Sequence, residues 1–185
     1  HGFFRMYYPN GDLETESYNE KGQKTGFFKN YAMGGALVLE GNYVNGVQHG
    51  KTVGYYNNGK IKMQLYYVNG KKEGEQKYYH ENGELKEKIV YANAEKDHEH
   101  HLYYENGKLK ATQKFVNGKR EGEWKYYYIN KELQCVEQYI NNNLNGERKT
   151  YDEKGNLATR ELYNPAGKKN GPYFEYHPNG KTKLE

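Results

Sequence analysis

The sequence predicts an all-β fold, an extended single-layer antiparallel β-meander built from about eight β-hairpin repeats of 24 residues. Three series of residues predict it. Tyr7, Tyr31, Tyr55, Tyr79, Tyr103, Tyr127 and Tyr151 stand 24 residues apart, and one inserted residue moves the eighth member to Tyr176. Gly2, Gly26, Gly50, Gly74, Gly122 and Gly146 keep the same period, with His98 in place of the missing member and Gly171 after the insertion. Leu13, Leu37, Ile61, Leu85, Leu109, Leu133 and Leu157 do the same. Held in phase, the three series divide residues 1–185 into the copies of a single array, starting near 2, 26, 50, 74, 98, 122, 146 and 171.

Each copy can be read element by element. The stretch from its glycine to its first tyrosine is rich in Tyr, Thr and Val and predicts a strand. A turn follows at Pro9-Asn10-Gly11, Asn57-Asn58-Gly59, Glu81-Asn82-Gly83, Glu105-Asn106-Gly107 and Pro178-Asn179-Gly180. Proline presets φ for the first central residue of a type I turn, asparagine follows, and glycine takes the left-handed position of a bulge. Such a three-residue loop sets Tyr7 opposite Leu13. The second strand runs to another aromatic, six residues after each leucine: Tyr43, Tyr67, Tyr91, Phe115, Tyr139 and Tyr163, with Tyr18 one residue out of phase. Val44-Asn45-Gly46, Val68-Asn69-Gly70 and Val116-Asn117-Gly118 then form the second turn. Ala94 and Lys131 replace turn glycines in the fourth and sixth copies.

With side-chain parity preserved along the chain, the first tyrosine, the leucine and the second tyrosine project from one face, joined by Leu39, Met63, Ala111 and Cys135. Phe4, Phe28, Trp124, Tyr8, Tyr56, Tyr104 and Tyr128 then fall on the opposite face among lysines.

Composition agrees with a thin structure. Hydrophobic residues make up 35% and 22 residues are tyrosine, so most candidate core positions carry a hydroxyl that needs water or a partner. The 16% of aromatic residues and only four prolines argue against disorder. The formal charge of +4 comes from 28 basic and 24 acidic residues interspersed along the chain, which names no partner. Cys135 stands alone, which excludes an internal disulfide framework. No apolar run approaches the roughly 18 residues of a membrane-spanning helix. The chain opens at His1 inside the repeat pattern, so the expectation is a fragment or a processed form, with cytoplasmic and exported locations both open.

The segment Gly118-Lys119-Arg120-Glu121-Gly122-Glu123-Trp124-Lys125-Tyr126-Tyr127 and later stretches such as Asn106-Gly107-Lys108-Leu109-Lys110 resemble the bacterial variant of the MORN repeat. The resemblance covers nearly the whole chain. It implies a hairpin-repeat fold and an antitoxin or immunity role, and it supplies no catalytic residues.

Asp97-His98-Glu99-His100-His101 offers the raw material of a zinc or nickel site, with His98, His100 and His101 as candidate ligands. No serine or cysteine sits in a nucleophile elbow, and no glycine-rich stretch leads into a helix, so neither catalysis nor a nucleotide or other cofactor is expected. Interleaved Lys and Tyr could stack bases, but the regular Glu75, Glu99, Glu123 and Glu147 oppose nucleic-acid binding. The same balance of charge leaves a membrane lipid little to attract it. The expected function is therefore a non-catalytic scaffold for a protein partner, either a cognate toxin or a surface or host protein. Phe4, Phe28, Tyr104, Trp124, Tyr126 and Tyr128 are its candidate anchors. On this reading Trp124→Ala weakens the partner and leaves the fold intact.

Overall fold

The computed structural model describes residues 1–92 and 97–184, and every regular element among them is a β-strand. Ala94 lies outside the described residues. The chain divides into two compact units, His1–Glu95 and Lys96–Glu185, and within each the strands pair antiparallel in chain order.

Gly50–Tyr55 and Ile61–Val68 show how a copy is built. The Tyr56 amide donates to the Lys60 carbonyl at 2.8 Å and the Gly59 amide to the Tyr56 carbonyl at 2.9 Å. Gly59 sits at φ 79°, the left-handed position, so the loop is the type I turn with bulge that the prolines predict. Asn58 Oδ1 fastens it by accepting from the Lys60 amide at 3.0 Å. The second turn is of another kind. Asn69 and Gly70 both have positive φ, 50° and 78°, and Val68 pairs with Lys71, which makes a two-residue type I′ turn.

Tyr55 pairs with Ile61 as expected, but the next pair is Gly54 with Met63, so Lys62 is an extra residue on its strand. The same single-residue shift follows the turns after Tyr7, Tyr31, Tyr79, Tyr103, Tyr127 and Tyr151. One extra residue inverts the alternation of side chains. Tyr55 and Ile61 consequently line a groove with Glu40 and Val53, whereas Met63 packs on the other face, where a Cβ on Gly54 would lie 2.8 Å from its Cε. The expected single face holding the first tyrosine, the leucine and Met63 is thus corrected. The turn is written in the sequence, and the bulge after it is not.

Each unit therefore has a packed face and a charged face. On the packed face of the first unit Phe4, Ser17, Phe28 and Gly41 stand opposite one another in turn, next to Thr52 and Leu65. A Cβ on Gly41 would lie 2.6 Å from Thr52 Oγ1 and 2.8 Å from Phe28, so only glycine fits there. In the second unit the equivalent face carries Ala111, Tyr126, Cys135 and Thr150 in one row and Trp124 beside Glu137 in the next. Phe28, Leu65, Ala111, Trp124, Cys135 and Tyr139 are buried.

A periodic hydrogen bond joins successive copies. The hydroxyls of Tyr8, Tyr56, Tyr104 and Tyr128 donate to the carbonyls of Tyr31, Tyr79, Tyr127 and Tyr151 at 2.8, 2.6, 2.7 and 2.9 Å.

Candidate functional site

The aromatic residues expected to meet a partner are mostly occupied by the fold. Trp124 is 4% exposed. Phe115 and Tyr139 lie 5.2 and 4.9 Å from its ring, the Arg120 guanidinium lies 5.0 Å over it, and its indole N–H donates to the Lys114 carbonyl at 3.1 Å. Phe28 is 5% exposed, its ring 5.0 Å from that of Tyr43. The inversion at each bulge is the reason: it returns Phe28 and Trp124 to the face of the second tyrosine, so their expected exposure is corrected. Tyr104 and Tyr128 use their hydroxyls to join copies. Tyr126 is half-buried beside Cys135 and Arg148, and burial pushes its phenol up to about 12. Phe4 alone of the six is exposed. Phe4 and Phe28 belong to the first unit and the other four to the second.

The histidines divide between the two faces of their strand. His98 stacks on Phe115 at 4.4 Å and His100 stands on the same face opposite Gln113, while His101 faces the other way opposite Thr112, with its ring 3.7 Å from Glu99. Strand alternation keeps His98 and His100 on one face and turns His101 to the other, and among the described residues no three His, Cys, Asp or Glu side chains are placed to hold a metal ion.

A polar network that sequence reasoning missed crosses the packed face of the second unit. Arg148 donates to Glu137 at 3.0 Å and to Glu161 at 3.2 Å, and Glu161 also accepts from Lys169 at 2.6 Å and Tyr163 at 3.0 Å. Burial works against a charged Glu161, but Lys169, Tyr163 and Arg148 outweigh it and hold the carboxyl below the usual range. Cys135 lies at the edge of this network, and burial pushes its thiol up to about 11. The single serine, Ser17, is also buried.

The charged face is ordered by short ion pairs within strands: Glu75 with Lys77, Glu123 with Lys125 and Glu147 with Lys149, at 2.7, 2.6 and 2.6 Å. Arg5 with Glu16 and Arg160 with Glu147 add pairs across strands. The first three copies break the rule, because Phe3, Phe27 and Lys51 stand where the next four carry Glu75, Glu99, Glu123 and Glu147. Among the described residues no carboxylate lies within ion-pair distance of Lys29 or Lys51. Glu40 instead accepts from the Tyr55 hydroxyl at 2.5 Å, and that hydrogen bond pushes the Tyr55 phenol up to about 12. Between these groups runs a groove of about 370 Å³, lined by Phe27, Lys29, Glu40, Lys51, Val53, Tyr55 and Ile61. Its signal was present in the sequence as Phe27 and Lys51 at the position where glutamate recurs only from Glu75 onward.

A search of curated proteins finds no match to this chain. The MORN repeat variant pattern matches residues 48–69, 72–93, 102–117, 144–164 and 169–185, more than half of the sequence. The unmatched stretch between 117 and 144 holds Gly122–Tyr127 and Leu133–Ile140 in the register of its matched neighbours, with the same turn and the same bulge. With this agreement of sequence and hairpin geometry, the chain belongs to the MORN repeat variant family.

Proposed function

We propose that the protein is a non-catalytic repeat scaffold that binds a protein partner. MORN repeats commonly serve as modules for binding proteins or membranes. The observation that carries the choice is the groove of the first unit, where aromatic and aliphatic side chains lie beside Lys29 and Lys51, which no carboxylate among the described residues pairs. Desolvated aromatics rimmed by charge are the usual anatomy of a protein interface. A membrane surface suits the alternating charges of the ion-pair ladder less well, since like charges must gather to draw in anionic headgroups. Catalysis finds no support at the only serine and the only cysteine, both of which are buried.

Within this reading the family resemblance favours an antitoxin or immunity role, with a cognate toxin as the partner. The test is covalent crosslinking in the source cells, then reconstitution with the purified candidate and titration by calorimetry. A protein partner binding at micromolar Kd or tighter sustains the scaffold, and restored growth on co-expression with that partner sustains the immunity role. A surface or host protein as the partner ends the immunity role and keeps the scaffold. Binding to vesicles or oligonucleotides alone overturns both.

A further inference from the structure

We propose that the groove of the first unit binds an acidic peptide segment of the partner, seating one aromatic or aliphatic side chain between flanking carboxylates that meet Lys29 and Lys51. The proposal rests on the scaffold reading and names the surface and the chemistry that serve it.

Three observations lead to it. On this face three later copies set glutamate two residues before lysine, at Glu75–Lys77, Glu123–Lys125 and Glu147–Lys149. Those copies fold with the pair and the first three fold without it, with Phe3 and Phe27 at the glutamate position of copies one and two and Lys51 at that of copy three, so the hairpin accepts either choice. The effect of Phe27 and Lys51 is local. Lys29 loses the glutamate that its counterparts hold, a second cation arrives at Lys51, and Phe27 adds apolar surface. Next, the carboxylate nearest to hand, Glu40, is already hydrogen-bonded to Tyr55, which keeps that ring at the groove wall. Finally, the groove combines apolar surface from Phe27, Val53 and Ile61 with these two cations, a shape and polarity suited to one side chain of an extended segment.

Acidic peptide fits better than nucleic acid. A polyanion gains from many cations in a row, whereas this groove offers two and sets Glu40 among them. A peptide needs only one or two such contacts, made where the apolar side chain has already been desolvated.

The test uses a fluorescein-labelled peptide of about ten residues carrying one phenylalanine flanked by Asp and Glu. Its controls are the same peptide with alanine for phenylalanine, a lysine-flanked counterpart, and oligothymidine as competitor. The decisive variant is Phe27→Glu with Lys51→Glu, because it installs the residue that the fold itself carries at Glu75, Glu123 and Glu147. Its β signal and thermal midpoint should match the parent, and Lys51→Gln provides a milder second variant. The acidic phenylalanine peptide should bind the full chain, weaken with added salt, and lose about tenfold or more in affinity against the double variant. Unchanged affinity in the folded double variant overturns the proposal. So does equal binding of the lysine-flanked peptide, or displacement by oligothymidine at lower concentration than by unlabelled peptide. A purified protein partner indifferent to the double variant overturns the groove and leaves the scaffold standing, whereas the absence of any protein partner overturns the scaffold itself.

Discussion

With Phe115 and Tyr139 within 5.2 Å of its ring and Arg120 lying over it, Trp124 has little surface left for a partner. Trp124→Ala should therefore cost about 3–5 kcal/mol of stability, the range for emptying a large aromatic site. Urea denaturation followed by circular dichroism checks this, and a loss under about 1 kcal/mol would return Trp124 to the surface. Glu161 makes a second residue-level prediction, through pH. Its folded carboxyl is held below the ordinary 4.5 by Lys169, Tyr163 and Arg148 against the pull of burial. A depressed carboxylate adds stability above its unfolded pKa and loses it as pH falls through the folded one, so this contribution fades on acidification below pH 4.5. Glu161→Gln should flatten the acid limb of the stability profile, measured by urea midpoints across that window. An acid limb equal to the parent's would remove Glu161 from the account of acid sensitivity. Neither role was legible beforehand. Trp124 was visible as an aromatic, but its environment is set by side chains four to fifteen residues away in neighbouring strands.

Among the elements, the first turn is the most legible, because Pro9, Asn10 and Gly11 each dictate one backbone position. Lys131 is the exception that tests it. It holds φ 79° where Gly59 and Gly107 stand in other copies, a conformation that a side chain with Cβ adopts only at a cost. Lys131→Gly should therefore raise stability by up to about 1 kcal/mol, read as a shift in thermal midpoint, and a lower midpoint would contradict the assigned turn. The bulge after that turn was not legible. Glu14, Val38, Lys62 and Ala158 occupy the extra position with no shared chemistry, since the shift is made by backbone pairing and not by a residue type. Missing it exchanged the faces of Trp124 and Leu133, and with them core and surface. The bond from each turn to the next copy is a further element-level claim. Tyr128→Phe removes only the hydroxyl that donates to the Tyr151 carbonyl, and should cost about 1 kcal/mol while leaving the ring in place. Hydrogen exchange should locate that loss around Tyr151 and Asp152, and unchanged protection there would show the bond to be dispensable.

For the whole molecule, the period of 24 residues carried the fold class and the direction of pairing, because every copy solves the same local problem. What the period could not show was function, which we propose lies where copies differ: Glu75, Glu123 and Glu147 pair with the lysine two residues on, and Phe27 and Lys51 replace that glutamate beside the groove. The central claim is that stability is passed between neighbouring hairpins and that the packed face, with Trp124 in it, is structural. Hydrogen exchange of folded Trp124→Ala against the parent, read copy by copy by mass spectrometry, tests this most directly. Protection should fall in Leu109–Val116, Gly122–Tyr127, Leu133–Ile140 and the strands beside them, and stay at the parental level in Gly2–Tyr7 and Leu13–Glu20. Uniform loss across the chain, or no loss around Trp124, would contradict it.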